Sequence, residues 1–521
     1  MMAMFAHDTD IAFTAQPGSG APVWRGQAAS GEALLAFAQW ARRADGRLAA
    51  LWGADERASG GGFRLHCVFG LEEGHAWVEL ALPAVSPEYP DLAGVFSAAN
   101  RMQRTTRDLL GIGQLGGDQR PWLRHGGWPA DWFPLRHDAG DPVFANAATD
   151  YPFVPVGGEG AHEIPVGPIH AGIIEPGHFR FSVVGERVLR LEQRLGYMHK
   201  GMERRFAGAD LATGARLAAR MAGDSTCTYA WAYAVAVESA CAVTPPPRAL
   251  ALRALMLERE RVANHLGDLG ALGNDAALAF GLTQFLRLKE DWLRLGAEVF
   301  GHRFMMDRIV PGGVAVDPSP ADLERIVAQC EGHGREVATL RAIYDEHAGL
   351  QDRFVTTGAI SADLARELSI TGFAARATGL LLDGRAHRLG YSPPAPYAAL
   401  GVRPASDERG DVAARAAVRF DEVAESLRLI RLLAVGLPQG ETRVALEPVP
   451  MSSGLGVIEG WRGEVLVGVA FDAAGRLARV HPHDPSWQNW PALEHAVLKD
   501  IVPDFPLINK SFNLAYSGND L

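Results

Sequence analysis

The sequence predicts an α+β protein: a small mixed domain over residues 1–140, a linker over 141–165, and a larger, mainly helical domain over 166–521 that opens with a short β hairpin. Three observations carry this division. Before residue 140, a stretch with helical apolar spacing is followed by two runs of strand character. Between His137 and Gly167 the chain is rich in Gly, Pro, Ala and acidic residues and shows no sustained apolar period, as a connecting segment does. Beyond residue 200, long stretches with the apolar spacing of helices succeed one another.

In the first domain, Leu34, Leu35, Phe37, Ala38, Trp40 and Ala41 place apolar side chains along one face of a helix over 33–44. Arg64–Phe69 and His75–Leu82 read as strands joined by the turn Gly70–Gly74. Pro87–Ile112 carries a helix that ends at Gly111. In the second domain a strand pair is expected around Gly177–Leu191, and helices at 209–222, 226–243, 248–273, 278–304, 319–347, 360–367 and 411–435. The tail reads as a hairpin, Gly463–Phe471 and Gly475–His481, followed by a helix over 488–500. The longest apolar run, Cys227–Val243, is interrupted by Glu238. It falls short of the roughly 18 uncharged apolar residues a membrane span needs, and reads as a buried core helix.

Hydrophobic residues at 48% and charged residues at 21% describe an ordinary globular protein, and 521 residues suffice for a sizeable core. A net charge of −11 weighs against a general nucleic-acid binder. Cys67, Cys227, Cys241 and Cys330 are scattered, with no C-x-x-C. That excludes a disulfide framework and any self-contained zinc or iron–sulfur site, and fits a reducing compartment. Met1–Asp10 lacks a basic region, and Asp8 and Asp10 break any apolar run, so no secretory signal is expected. Gly454-Leu455-Gly456 has no third glycine at dinucleotide spacing and is not read as a nucleotide loop.

Several motifs carry a resemblance when taken together. Ala98–Ile112 resembles A-A-x-W-x-E-R-E-x-x-D-x-x-G-I, and Trp132–Asp138 resembles W-x-x-H-P-L-R-K-D, the signatures of the 30-kDa-type subunit of respiratory complex I. Gln103 and Thr105 stand at two acidic positions of the first. Gly167–His170 and Glu175–Arg180, then Leu195–Glu203, Glu258–Asp268 and Glu459–Glu464, resemble the complex I 49-kDa subunit. They are more similar still to the large subunit of energy-converting [NiFe]-hydrogenases of the hydrogenase-4 and formate hydrogenlyase type. Arg220–Ala230 resembles R-x-C-G-x-C-x-x-x-H, and Ser511–Leu521 resembles S-L-D-P-C-x-x-C-x-D-R. In these, Ala222, Ser225, Ala515 and Gly518 occupy the four cysteine positions, and Tyr229 the histidine position. Soft thiolates are what a nickel–iron centre needs, and none of these residues supplies one.

The resemblance implies a chain that binds no metal or other cofactor directly and frames a cleft beside an iron–sulfur small subunit with a [4Fe-4S] cluster. Further implied partners are a ferredoxin-like subunit and antiporter-like subunits of a membrane arm. The implied location is cytoplasmic, peripheral on the inner face of the membrane. It implies a quinone-type acceptor in the cleft, with His170 and His178 as proton or hydrogen-bond donors, because charge develops at each carbonyl oxygen as electrons arrive. Glu175 sits where hydrogenases of this kind carry a proton-relaying glutamate; a salt bridge to Arg462 is the bland alternative. The tyrosine that brackets the quinone head in complex I falls at Gly223 here, and Tyr229 is the candidate to replace it. Cys227 is expected to be an inert buried thiol, and His265 a satisfied core histidine. Three classes stay open: a catalytic electron-transfer subunit, a scaffold or coupling subunit with a plugged cleft, and an active [NiFe]-hydrogenase, which the absent ligands oppose. A cleft filled by Met221, Tyr229 and Trp231 favours the second. With Leu521 three residues past Gly518, no C-terminal maturation cleavage is expected.

Overall fold

The computed structural model describes residues 11–521 apart from 19, 148–150, 173, 388–390, 392 and 499. The segment Met1–Asp10, on which the signal-peptide expectation rests, and three residues of the linker lie outside the described residues.

The first domain is a five-stranded sheet of β1 (Phe13–Ala15), β2 (Val23–Ala28), β3 (Arg47–Asp55), β4 (Phe63–Leu71) and β5 (Gly74–Leu82), in the order β1-β2-β5-β4-β3. Only the β2–β5 pair in this sheet is parallel. Helix α1 (Gly31–Arg43) starts where the Ser30 hydroxyl accepts from the Ala33 amide, and buries Leu34, Phe37, Ala38 and Ala41. Helix α2 (Ala99–Leu110) begins later than its sequence span suggests, because Glu88–Pro90 pairs as a short strand with Gly113–Leu115. It ends at Gly111 with φ +70°, a left-handed conformation that glycine adopts without a Cβ penalty. The face of α2 is polar yet buried. Asp108 Oδ2 accepts from the amides of Trp122 (2.7 Å) and Leu123 (2.8 Å), and Arg104 donates to the Arg120 and Pro121 carbonyls. These bonds fix the loop that follows α2 back onto that helix.

The second domain opens with a three-stranded antiparallel sheet of β6 (Ala161–Val166), β7 (His178–Val184) and β8 (Arg187–Arg194), in the order β8-β7-β6. Strand β6 lies in the stretch read as linker. Its Pro165 lacks an amide donor, which an edge strand tolerates, and so it hid the strand from the pattern. Helix α3 (Thr226–Ala240) is buried on every side from Thr226 to Ser239. That explains why it reads as an apolar run rather than an amphipathic stripe. It packs on α4 (Pro247–Asp275), which in turn packs against α5 (Ala279–Phe300) and α7 (Val412–Val435), with α6 (Pro320–Glu346) against α7. The chain closes with an antiparallel sheet, β9 (Ser453–Glu459), β10 (Glu464–Phe471) and β11 (Leu477–His483), and helix α8 (Ser486–Ala496). Strand β9 packs against α3 so closely that a Cβ on Gly456 would sit 2.0 Å from the Ala232 carbonyl oxygen. Gly454-Leu455-Gly456 is therefore a helix–strand contact and not a phosphate loop.

Polar side chains cross the core. On α4, Glu258, Arg261, His265 and Asp268 share a face at three- and four-residue spacing, and α7 answers with Arg419, Glu422 and Ser426. Arg261 and His265 reach Glu422 (3.2 and 2.8 Å), Arg419 reaches Asp268 (3.0 Å), and Ser426 donates to Glu258 (2.6 Å). The two domains share one apolar cluster that includes Phe37, Met102, Phe179 and Trp490. Polar contacts join them too: Trp52 stacks on His481 with centroids 4.8 Å apart, and Glu464 receives both Arg47 and His75.

Candidate functional site

The loop between β6 and β7 carries His170 and Glu175, and His178 opens β7. The His170 Nε2–H donates to the Gly177 carbonyl (2.8 Å), and the His178 Nδ1–H donates to the Gly167 carbonyl (3.2 Å). Because a carbonyl can only accept, both tautomers are fixed. His178 Nε2 is then the acceptor for Arg180 Nε at 3.3 Å. Burial holds the His178 imidazole below its ordinary pKa, so it is neutral near pH 7. Both histidines thus clasp their own loop. Glu175 accepts from the Ser517 amide (3.1 Å), which joins this loop to the C-terminal segment. The expected alternative of a Glu175–Arg462 salt bridge is replaced: Arg462 pairs with Asp224 at 2.6 Å.

The segments with the four cysteine-position residues meet on the other side of that junction. Ser225, at the start of α3, is buried, and its hydroxyl accepts from Trp461 Nε1 (3.1 Å). Arg462 lies across the Trp461 ring at 4.0 Å and also donates to the Asn513 carbonyl. Tyr229, fully buried one turn further along α3, donates to Asp484 Oδ2 at 2.6 Å. The same Asp484 oxygen would lie 2.5 Å from a Cβ on Gly518, and the Tyr229 hydroxyl 3.0 Å from it. The Ala515 amide donates to Ser486 (2.9 Å), two residues past Asp484. The structure therefore brings Ser225, Tyr229, Ala515 and Gly518 to one locus, organised by Asp224, Arg462 and Asp484. Burial pushes the Asp224 carboxyl up, but the Arg462 guanidinium outweighs burial and holds it below the usual carboxylate range. Burial, with the Asp484 charge beside it, drives the Tyr229 phenol far above its ordinary pKa, so it stays a neutral donor.

Sequence reasoning named Arg462 as part of a motif and as the alternative partner of Glu175, and missed Asp484 altogether. A lone Asp before Pro-Ser reads as a turn residue, and Asp484 does also accept from the Ser486 amide. Lys200 and Asp520 were missed as well. Lys200 donates to the Met221 carbonyl (3.0 Å), and buried Asp520 accepts from the Met198 amide (2.9 Å). Gly223 has open space where a Cβ would point. Met221 is buried, and Trp231 stacks on Tyr397 with centroids 6.3 Å apart. Cys227 is buried with its thiol pKa well above the ordinary value, as expected of an inert thiol; His265 is a core histidine bonded to Glu422 through Nε2, but its buried Nδ1 has no partner among the described residues, so the expected satisfaction is only half met. Glu260 crowns the N-terminus of α3, accepting from the amides of Cys227 (2.6 Å) and Thr228 (3.1 Å); burial pushes its pKa up to about 7. Among the described residues, Asp55, His137 and Asp138 come close enough to share a cation. Arg57, however, already bridges both carboxylates at 2.8 Å, so the cluster is an ion-pair knot.

Comparison with known proteins agrees with this architecture. Residues 28–142 match the model of the respiratory-chain NADH dehydrogenase 30 Kd subunit, and residues 275–453 that of its 49 Kd subunit. Formate hydrogenlyase subunit 5 of Escherichia coli (strain K12) is 30% identical over 489 residues, covering 91% of this chain and 85% of that protein. The chain belongs to the family of fused complex I 30-kDa/49-kDa proteins. Within that family, the C/D fusion of the NADH-quinone oxidoreductase of Bacteroides thetaiotaomicron is 27% identical, covering 81% of this chain and 84% of its own length. Among solved structures, a chain of the membrane-bound sulfane sulfur reductase, an archaeal respiratory membrane complex, shares the fold. Its TM-score is 0.65 at 24% identity, over 70% of this chain and 99% of that one. No helix among the described residues is long and apolar enough to cross a membrane.

Proposed function

We propose that this chain is a metal-free large subunit of a membrane-attached, complex I-related oxidoreductase complex. In this reading it frames the junction between an iron–sulfur small subunit and a membrane arm, its former metal cleft closed by its own side chains. One observation carries the proposal. At Gly518 the space that a ligating side chain would need is taken by Asp484 and Tyr229, which are hydrogen-bonded to each other. Ala222, Ser225, Ala515 and Gly518 offer no sulfur, and an Arg462–Asp224 ion pair stands beside Ser225. A guanidinium repels a metal cation, so the donor set does not fit nickel or iron. Elemental analysis of the isolated subunit is expected to find neither metal at stoichiometric level; one nickel per chain would overturn the reading.

A quinone-type acceptor site is the second reading. It is favoured by the half-exposed His170 and Glu175 on the β6–β7 loop. Against it stands the commitment of the His170, His178 and Tyr229 hydrogens to Gly177, Gly167 and Asp484. Quinone reduction by the purified native complex separates the two. If the frame reading holds, His170→Ala leaves any such activity unchanged. A fall of about ten-fold or more with assembly intact would instead make the loop a catalytic one.

A further inference from the structure

A second concavity, apart from the ligand-position locus, lies on the seam between the two domains. It is a cleft of about 550 Å³ lined by Trp128, Trp132, Phe144, Tyr197, His199 and His125, in which Trp128 stacks on His199 and His125 packs on Tyr197. This is the size and the setting of a small-molecule site, largely apolar and placed at a domain interface. Glu203, whose carboxylate also lines the cleft, is held by Arg479 and His481 at 2.7 Å each, and the two histidines share a pattern. His125 Nε2–H donates to the Leu195 carbonyl (3.2 Å), and His199 Nδ1–H donates to the Asp520 carbonyl (2.8 Å). Each imidazole is thereby left with one nitrogen lone pair. Burial lowers the His125 pKa to about 4 and lowers that of His199, so both lone pairs persist at neutral pH. The indole N–H groups of Trp128 and Trp132 are committed to the Trp132 and Gly140 carbonyls. The cleft therefore offers flat π faces and acceptors. Its cation is Arg204 at the rim, 5.7 Å from the Trp132 ring and held to the Pro134 and Ala139 carbonyls only by long 3.4 Å contacts.

We propose that this seam cleft binds a planar aromatic molecule bearing ring O–H or N–H donors and an anionic substituent. The ring packs into the corner that Trp128 and Trp132 form, with centroids 5.4 Å apart and planes at 58°, its donors meet the histidine lone pairs, and its charge meets Arg204. This goes beyond the proposed role of the metal-free cleft and is independent of it. A nucleoside monophosphate and a phenolic acid share this chemistry, and the test tells them apart. Calorimetric titration and tryptophan quenching of the full chain use adenosine monophosphate and 4-hydroxybenzoate, with benzenesulfonate, which lacks ring donors, as the control. The expected result is one-to-one binding of one probe with a Kd below about 1 mM, weak by protein–ligand standards but saturable. Trp132→Ala and Arg204→Ala should each weaken it by about ten-fold, and benzenesulfonate should bind at least that much more weakly. Arg204 is exposed, so Arg204→Ala keeps the test decisive if Trp132→Ala fails to fold. No binding of either probe near 1 mM would overturn the proposal, as would binding that neither substitution alters, or loss of binding in the native complex through a partner covering the cleft.

Discussion

At Gly518 an added methyl group would meet a carboxylate at 2.5 Å, whereas between Trp132 and Tyr197 a cleft of about 550 Å³ stands open. The two regions are neighbours through the C-terminal segment, since His199 of the seam bonds to Asp520, two residues past Gly518. They differ in how they satisfy polar groups. At the ligand-position locus, Asp224, Arg462, Asp484 and Tyr229 partner one another, so the space closes around charge. At the seam, the two indoles and the two histidines each donate to a backbone carbonyl, which leaves ring faces and one lone pair on each imidazole. A buried polar site is filled by side chains that partner one another, because voids forfeit contacts and unpaired charges are costly. An aromatic seam held from behind can stay hollow.

The sharpest way to break this comparison is to remove the cation at the closed locus. Arg462 is 3% exposed and faces Asp224 and Asp484, and its guanidinium also holds the Asn513 carbonyl. Arg462→Met keeps the volume and strands two carboxylates. Asp224 is 38% exposed, so solvent screens part of the pair, and we expect a loss of about 2–3 kcal/mol in urea unfolding, below that of a fully buried pair. A loss below about 1 kcal/mol would mean that water, and not the ion pair, fills the locus. The matching change at the seam, Arg204→Ala, is expected to move stability by no more than about 0.5 kcal/mol.

The contrast between the regions also marks how far the sequence could be read. Long helices such as α4, α5 and α6 were legible within a few residues, because their apolar spacing persists over many turns. The edge strand β6 was not, since Pro165 and its polar neighbours erase the alternation of a half-buried strand. The first part of the closed locus was legible as motif: Ser225 and Gly518 stand out for what they lack. Which side chains fill the locus was not legible. Asp484 lies 255 residues from Tyr229 along the chain, and a single acidic residue at a turn carries no periodic signal. The seam cleft was equally hidden, because its walls come from two domains and each wall alone reads as ordinary loop aromatics.

A smaller effect is expected from steric crowding. Gly518→Ala places a Cβ against Asp484 and Tyr229, and should cost about 1–3 kcal/mol, as overpacking does. Asp484→Ser shortens the obstructing side chain. In the double variant, the added cost of the alanine should shrink to about 1 kcal/mol or less, a coupling read by a double-mutant cycle. Additive costs would show that Asp484 does not occupy the position-518 space.

The smallest expected effect joins the two regions through Asp520. Burial raises its carboxyl pKa from 3.8 to about 6, while the Met198 amide and the Asn519 side-chain amide, both donating to it, pull the other way. A raised carboxyl pKa means that the folded chain holds the proton more tightly than the unfolded one. Stability from this group is therefore complete below the unfolded value near 4 and falls as pH rises toward 6. At pH 8 the charge is a net cost, bounded near 3 kcal/mol at about 1.4 kcal/mol per pKa unit. Asp520→Asn removes it. The new amide can still accept from Met198, and its own N–H can turn to Asn519 Oδ1, a buried oxygen with no partner among the described residues. We expect the Asp520→Asn variant to gain about 1–2 kcal/mol at pH 8 and nothing at pH 4, measured by urea unfolding at both values. A gain of equal size at both pH values would trace the effect to packing, and a loss at pH 8 would show that the carboxylate is held as an anion against burial.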